Sequence, residues 1–226
     1  MVNSRILPFL VFTGLILPLV LLCSGNKPAP LAGGLETTNG IAVRVTDGVI
    51  TGTASVPSSI IICDSGYSAP ALDTFRFADT ITTDKNGEFT FSEIPYGTYT
   101  LIVRSADLTG GCIIPGITLG NNYSDRYDSV PFVPLAALTI QTFTASTPCQ
   151  NTVVFIRGTT FNTITGYDGI GSITHIPSGT YRIEAAYRTE KDLIPQLHTS
   201  IANGVAVADS GSPILVMHLL LENPEE

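Results

Sequence analysis

Ile94-Pro95-Tyr96-Gly97-Thr98-Tyr99 recurs as Ile176-Pro177-Ser178-Gly179-Thr180-Tyr181, and the recurrence decides how the chain is read. Each copy follows a glycine turn at the same distance, Gly87 eight residues before Pro95 and Gly169 eight residues before Pro177. Self-similarity at a fixed spacing marks a repeated structural unit. One obscure chain becomes two copies of one module.

Working outward from the first copy, Asp84-Lys85-Asn86-Gly87 is a turn, because Asn and Gly both tolerate positive φ. Phe89 and Phe91 then alternate with polar residues, as a half-buried strand requires. Pro95 fixes φ for the next turn, and Gly97 is expected in the left-handed position that closes it. Tyr99, Leu101 and Val103 share one face of the strand that follows. Upstream, Ile41 to Val45 opens a strand and Ser59 to Cys63 reads as a core strand, with a long excursion from Asp64 to Asp79. The second copy retraces the path through Val153 to Ile156, Tyr167-Asp168-Gly169, and a strand with Tyr181, Ile183 and Ala185 on one face and Arg182 and Glu184 on the other. It lacks the excursion, and it has Gly171 where the first copy has Phe89, which predicts a poorer core there. Gly116 to Leu119 and Gly204 to Val207 precede the closing strands, near Leu135 to Ile140 and Ile214 to Leu221. The fold class expected is all-β, two tandem β-sandwich modules.

The string Thr-Asp-x-x-Gly-x-Phe-x-Phe-x-x-Ile-Pro-x-Gly-x-Tyr-x-Leu, running from Thr83 to Leu101, resembles the carboxypeptidase regulatory-like domain. The second copy carries only the turn and its preceding glycine. The resemblance implies an Ig-like, prealbumin-like (transthyretin-like) sandwich common in exported bacterial proteins. Its motif residues specify strands and turns, and they imply no chemistry.

The first 22 residues are a different material. After Arg5, Ile6 to Leu22 is almost wholly apolar, the length of a secretory core and short for a membrane span. Cys23 follows, then a Gly-, Pro- and Thr-rich stretch to Gly40. This resembles a bacterial lipoprotein leader, with Leu22 standing where a small residue is usual. It implies acylation of Cys23 and an outer-membrane anchor; the alternative is an ordinary export signal or an uncleaved anchor, with Cys23 a passenger. The organisation expected is leader 1–22, tether 23–40, module 41–139 and degenerate module 140–226.

Charged residues make up 13% of the 226, and the net charge is −8 with only three lysines, which excludes nonspecific nucleic-acid binding because phosphate contacts need clustered Lys and Arg. Past Cys23, three cysteines remain, and three allow at most one internal disulfide. Cys63 and Cys112, in the same repeat, are the pair expected; the alternative is three small buried hydrophobes.

No catalytic constellation is present. Nucleophilic chemistry needs a Ser or Cys beside an oriented base, and no Gly-x-Ser-x-Gly occurs. Asp84, Asn86 and Glu88 surround a glycine turn but fall short of a calcium-binding loop, so no metal and no cofactor is assigned. His175, matching Glu93 of the first copy, reads as polar surface. Tyr67 and Phe75, on the excursion, are the candidate contact surface, since binding residues tend to lie on loops held by a rigid scaffold; the alternative is that Phe75 and Phe77 fill the module's core as part of a strand. The function expected is a non-enzymatic envelope lipoprotein with a structural or binding role toward another envelope protein or an extracellular polymer. The alternative is a carbohydrate-binding accessory protein, against which the absence of tryptophan weighs.

Overall fold

The computed structural model describes residues 40–46, 49–68, 77–120, 126–191, 194–208 and 214–221. The expected leader, Cys23, most of the expected tether and Phe75 lie outside the described residues. In the first half the strands are β1 (Gly40–Thr46), β2 (Val49–Ala54), β3 (Ser58–Asp64), β4 (Ala78–Thr82), β5 (Glu88–Phe91), β6 (Gly97–Ser105), β7 (Gly110–Leu119) and β8 (Arg126–Pro131). They form two antiparallel sheets, ordered β5-β2-β1-β8 and β4-β3-β6-β7. The all-β sandwich expected from the repeat is present.

In the middle sheet, β4-β3-β6-β7, the central strands β3 and β6 are buried on both faces, while the edge strand β4 is exposed. Ile60 and Ile62 of β3, with Leu101 and Val103 of β6 and Cys112 and Ile114 of β7, face β1, β2 and β5. The alternate residues Ile61, Cys63 and Ile102 belong to a second core, built mostly from the other half of the chain. A strand buried on both faces reads as a continuous apolar run rather than an alternation, and Ser59-Ile60-Ile61-Ile62-Cys63 is such a run.

That alternation overturns the expected disulfide. Cys63 lies opposite Thr100 and Cys112 opposite Val103, so β6 stands between them and the two thiols project to opposite faces. Bridged cysteines need Cα atoms within about 7 Å and converging Cβ vectors. Cys63, Cys112 and Cys149 are free and buried. The Cys63 thiol donates instead to the Gly158 carbonyl, 3.2 Å away in the other half.

The second half holds β9 (Val133–Thr144), β10 (Thr147–Pro148), β11 (Val153–Ile156), β12 (Asn162–Ile164), β13 (Ile170–Pro177), β14 (Gly179–Lys191), β15 (Ile194–Val207) and β16 (Leu215–Leu221). β12-β11-β14-β15 repeats β4-β3-β6-β7, and β13 pairs with β9 as β5 pairs with β2. The 139/140 boundary falls inside β9, whose first residues also pair with β7. Among the described residues, the second copy has no counterpart of β1. β16 runs parallel to β9 and pairs with it directly, whereas β8 is separated from β2 by β1. Met217 and Leu219 of β16 are buried in the shared core.

The poorer core expected at Gly171 is corrected by the register. Gly52 faces Phe89 in the first copy, and Ile140 faces Gly171 in the second. Large and small residues have changed sides, and the fully buried Ile140 fills the space from β9.

The turns show the repeat in backbone terms. Gly87 and Gly169 have φ of 79° and 71°, and Glu93 and His175 have φ of 59° and 57°. Gly116 and Gly204, at 71° and 68°, sit where the ladders β6–β7 and β14–β15 shift register. This is the bulge geometry that favours a left-handed glycine. Gly97 and Gly179 are not among the residues with positive φ, contrary to expectation. They are needed for space. Tyr99 folds back so that its hydroxyl donates to the Pro95 carbonyl at 2.6 Å, and Tyr181 does the same to Pro177. A Cβ on Gly97 or Gly179 would lie 3.2 or 3.3 Å from that hydroxyl.

Candidate functional site: a recess at the seam

Where the two halves meet, a recess of about 720 Å³ opens between β7, β8 and the start of β9 on one side and β11 and β14 on the other. Its apolar wall comes from Ile113, Pro115, Val133 and Ile156, with the buried Thr100 and Thr159 and the exposed Thr180 as polar lining. Arg157 and Arg182 line it as well.

The two arginines are placed by register. Glu184 on β14 lies opposite Phe155 on β11, two residues before Arg157. A turn follows β11, in which the Thr159 hydroxyl donates to the Ile156 carbonyl at 2.7 Å, and the Arg157 side chain runs back along the strand. Arg157 donates from Nε and Nη2 to the two Glu184 oxygens at 2.9 and 2.6 Å, a bidentate pair. Arg182 places its Nε 3.0 Å from Glu184 Oε1. Covered by both, Glu184 is only 5% exposed although it points away from the core. The Arg157 hydrogen bond, ahead of the nearby positive charges, holds the Glu184 carboxyl below its ordinary value, and the same bond raises the Arg157 guanidinium. The Arg157 guanidinium also lies 5.7 Å from the centre of the Phe155 ring. On the far side of this ridge a second recess of about 340 Å³ is lined by Glu184, Arg188 and Ser200, again with Arg157 and Arg182.

Besides the two arginines, the described lining of the larger recess holds Cys112 and Tyr181, and burial disarms both. The Cys112 thiol is pushed up to about 12, and so is the Tyr181 phenol. The thiolate is the nucleophilic form, and at neutral pH neither group ionises.

The contact surface expected from the excursion moves. Tyr67 is 9% exposed and packs in the shared core. Its N–H donates to the Asp64 carbonyl at 2.8 Å, and its carbonyl accepts from Gly158 at 2.7 Å. It is a joint between the halves, because the turn at Ser65-Gly66 folds the start of the excursion inward against the loop after β11. Phe77 packs edge-on to Tyr99, with ring centres 5.8 Å apart. Asp84 is committed to its own turn, its Oδ1 accepting from the N–H groups of Asn86 and Glu88 at 2.8 Å each. His175 is exposed and takes the left-handed bulge position in β13. Among the described residues, no group of three His, Cys, Asp or Glu side chains converges.

Arg157 is the residue that sequence reading passed over. It stands 27 positions from Glu184, and only the β11–β14 register brings them together.

No family model matches the chain. No curated protein matches it either. Among solved structures it is similar to the crystal structure of GBS52, the minor pilin in the Gram-positive pathogen Streptococcus agalactiae, at 10% identity over 77% of this chain and 87% of that one. The TM-score is 0.33, below one half, so no property of the pilin transfers to this chain.

Proposed function

We propose that this chain is a non-enzymatic protein of the cell envelope, exported and held at the outer membrane through acylated Cys23, presenting a binding surface to an envelope protein or an extracellular polymer. The observation that carries the binding role is the seam recess. Both halves contribute its walls, and the groups lining it fit recognition better than turnover. Arginine does not give up its proton in the working range, and the Cys112 and Tyr181 side chains stay protonated. None of these four described groups trades a proton at neutral pH. The apolar Ile6 to Leu22 segment ending at Cys23, with a polar stretch before β1, supports the tether.

The test is intact mass with membrane fractionation after expression in a bacterial host. A chain starting at Cys23 with added acyl mass, in the membrane fraction, is the expected result. An unacylated chain cut elsewhere would remove the tether. A second reading, glycan binding, draws support from Tyr167, 94% exposed at the β12–β13 turn, and from the exposed Tyr96, since tyrosine rings offer stacking platforms. Retention on insoluble glycans that is lost in Tyr167→Ala would favour it.

A further inference from the structure

We infer that the seam recess binds a small amphiphilic anion: an apolar ring or chain body carrying one carboxylate, sulfonate or phosphate group. This deepens the binding role proposed above by naming the chemistry of the ligand.

The size fits, since about 720 Å³ lies within the usual range of small-molecule sites. The wall fits an apolar body, because Ile113, Pro115, Val133 and Ile156 face into the space. The charge is what selects. Among the described lining residues, Arg157 and Arg182 are the charged side chains, and none is Asp or Glu. Glu184 occupies Nε and Nη2 of Arg157 and Nε of Arg182, from the side of the smaller recess. One carboxylate thus faces two guanidinium groups and leaves a net positive charge on the ridge. Each guanidinium is a fork of five N–H donors, so outer donors remain that Glu184 does not take. Because Glu184 fixes both side chains, they are preorganised, and less side-chain entropy is lost when a ligand binds. The Thr180 side chain adds a neutral donor beside them at the rim.

The competing possibility is an apolar groove flanked by two arginines that only solubilise it. A matched pair of probes separates the two. 1-Anilinonaphthalene-8-sulfonate and N-phenyl-1-naphthylamine share one aromatic skeleton, and only the first carries a charge. Each is titrated by fluorescence into the full chain and its variants. The sulfonate should bind one saturable site, weaken with added salt, and lose about tenfold in affinity in Arg182→Met, the scale of one lost charge-assisted hydrogen bond. Arg182→Lys should recover most of the loss. Thr180→Asp, an exposed change that leaves the core untouched, should abolish saturable sulfonate binding, and the neutral probe should bind all variants alike. Equal binding of both probes, or sulfonate binding unmoved by Arg182→Met and Thr180→Asp, would overturn the inference. Failure here leaves the mass and fractionation result standing, so the two readings fail separately.

Discussion

Replacing Ile102 with alanine tests whether the two sandwiches are separate bodies. Ile102 is fully buried on β6, between Ile61 of β3 and Ile113 of β7, which are its register partners on either side. These isoleucines form a row across the face of the middle sheet that belongs to the shared core with Leu138, Ile176 and Ile183. Removing its outer carbons leaves a cavity that the flanking isoleucines cannot collapse into, and buried Ile→Ala changes cost about 2–5 kcal/mol. For a chain of this size, each kcal/mol moves the melting temperature by about 2–4 °C, so a drop of about 4–20 °C is expected. Calorimetry of the wild type should show one transition, and Ile102→Ala should move all of it. Hydrogen exchange should also accelerate in β14, which carries Ile183 and Ala185 across the core. If the halves were independent, Ile102 would lie on an outer surface, where substitutions stay within about 0.5 kcal/mol. A variant that leaves the β14 amides as protected as before, or shifts only one of two transitions, would refute the shared core.

Other outcomes follow from single sites. The hydroxyls of Thr142, Thr152 and Thr165 converge on the Cys149 carbonyl at 2.9, 3.2 and 2.7 Å, and Thr165 also accepts from the Thr152 N–H. Thr165→Val strands that N–H and should cost about 1–3 kcal/mol in urea unfolding. With Ellman's reagent, Cys63, Cys112 and Cys149 should be silent in the folded chain and all three should titrate after unfolding without reductant; a Cys63–Cys112 bridge would leave only Cys149 of these. Since the folded Glu184 carboxyl is held below its ordinary value of 4.5, its stabilisation is complete above that value and is lost as pH falls through the lower folded one. Wild type minus Glu184→Gln, measured by urea unfolding across acid pH, should shrink in that window and be flat above it. Glu93→Gly relieves a left-handed glutamate and should stabilise by up to about 1 kcal/mol, because the gain of roughly 1–2 is partly offset by the backbone entropy of glycine.

What was legible in the sequence was whatever depends on neighbours along the chain. The Asp84 turn, the Phe89 and Phe91 alternation, and the split of Ile183 and Ala185 from Arg182 all follow from local spacing, and the structure keeps them. What was not legible depends on register between distant strands. The run from Ile60 to Cys63 announces burial on both faces, but nothing in it says that the second face packs against β9, β13 and β14. The Cys63–Cys112 pairing failed on parity across β6, and Arg157 was invisible without the pairing of Phe155 with Glu184. Tyr67 was misplaced because an aromatic residue entering a long excursion carries no mark of the Gly158 contact that draws it inward. Gly97 was assigned the right necessity for the wrong cause. The Tyr99 ring needs the space, while the left-handed backbone falls to Glu93, a residue type that gives no such signal.

The place of β16 has a consequence for the order of events during synthesis. Met217 and Leu219 enter the shared core beside residues contributed by β3 and β6, strands made more than a hundred positions earlier. Until β16 leaves the ribosome, one face of the middle sheet lacks part of its cover, and the early strands wait with apolar surface exposed. Such a chain is slow to commit to its final form from its front end. Under the export proposed above, such a delay would suit a translocation channel that passes only unfolded polypeptide.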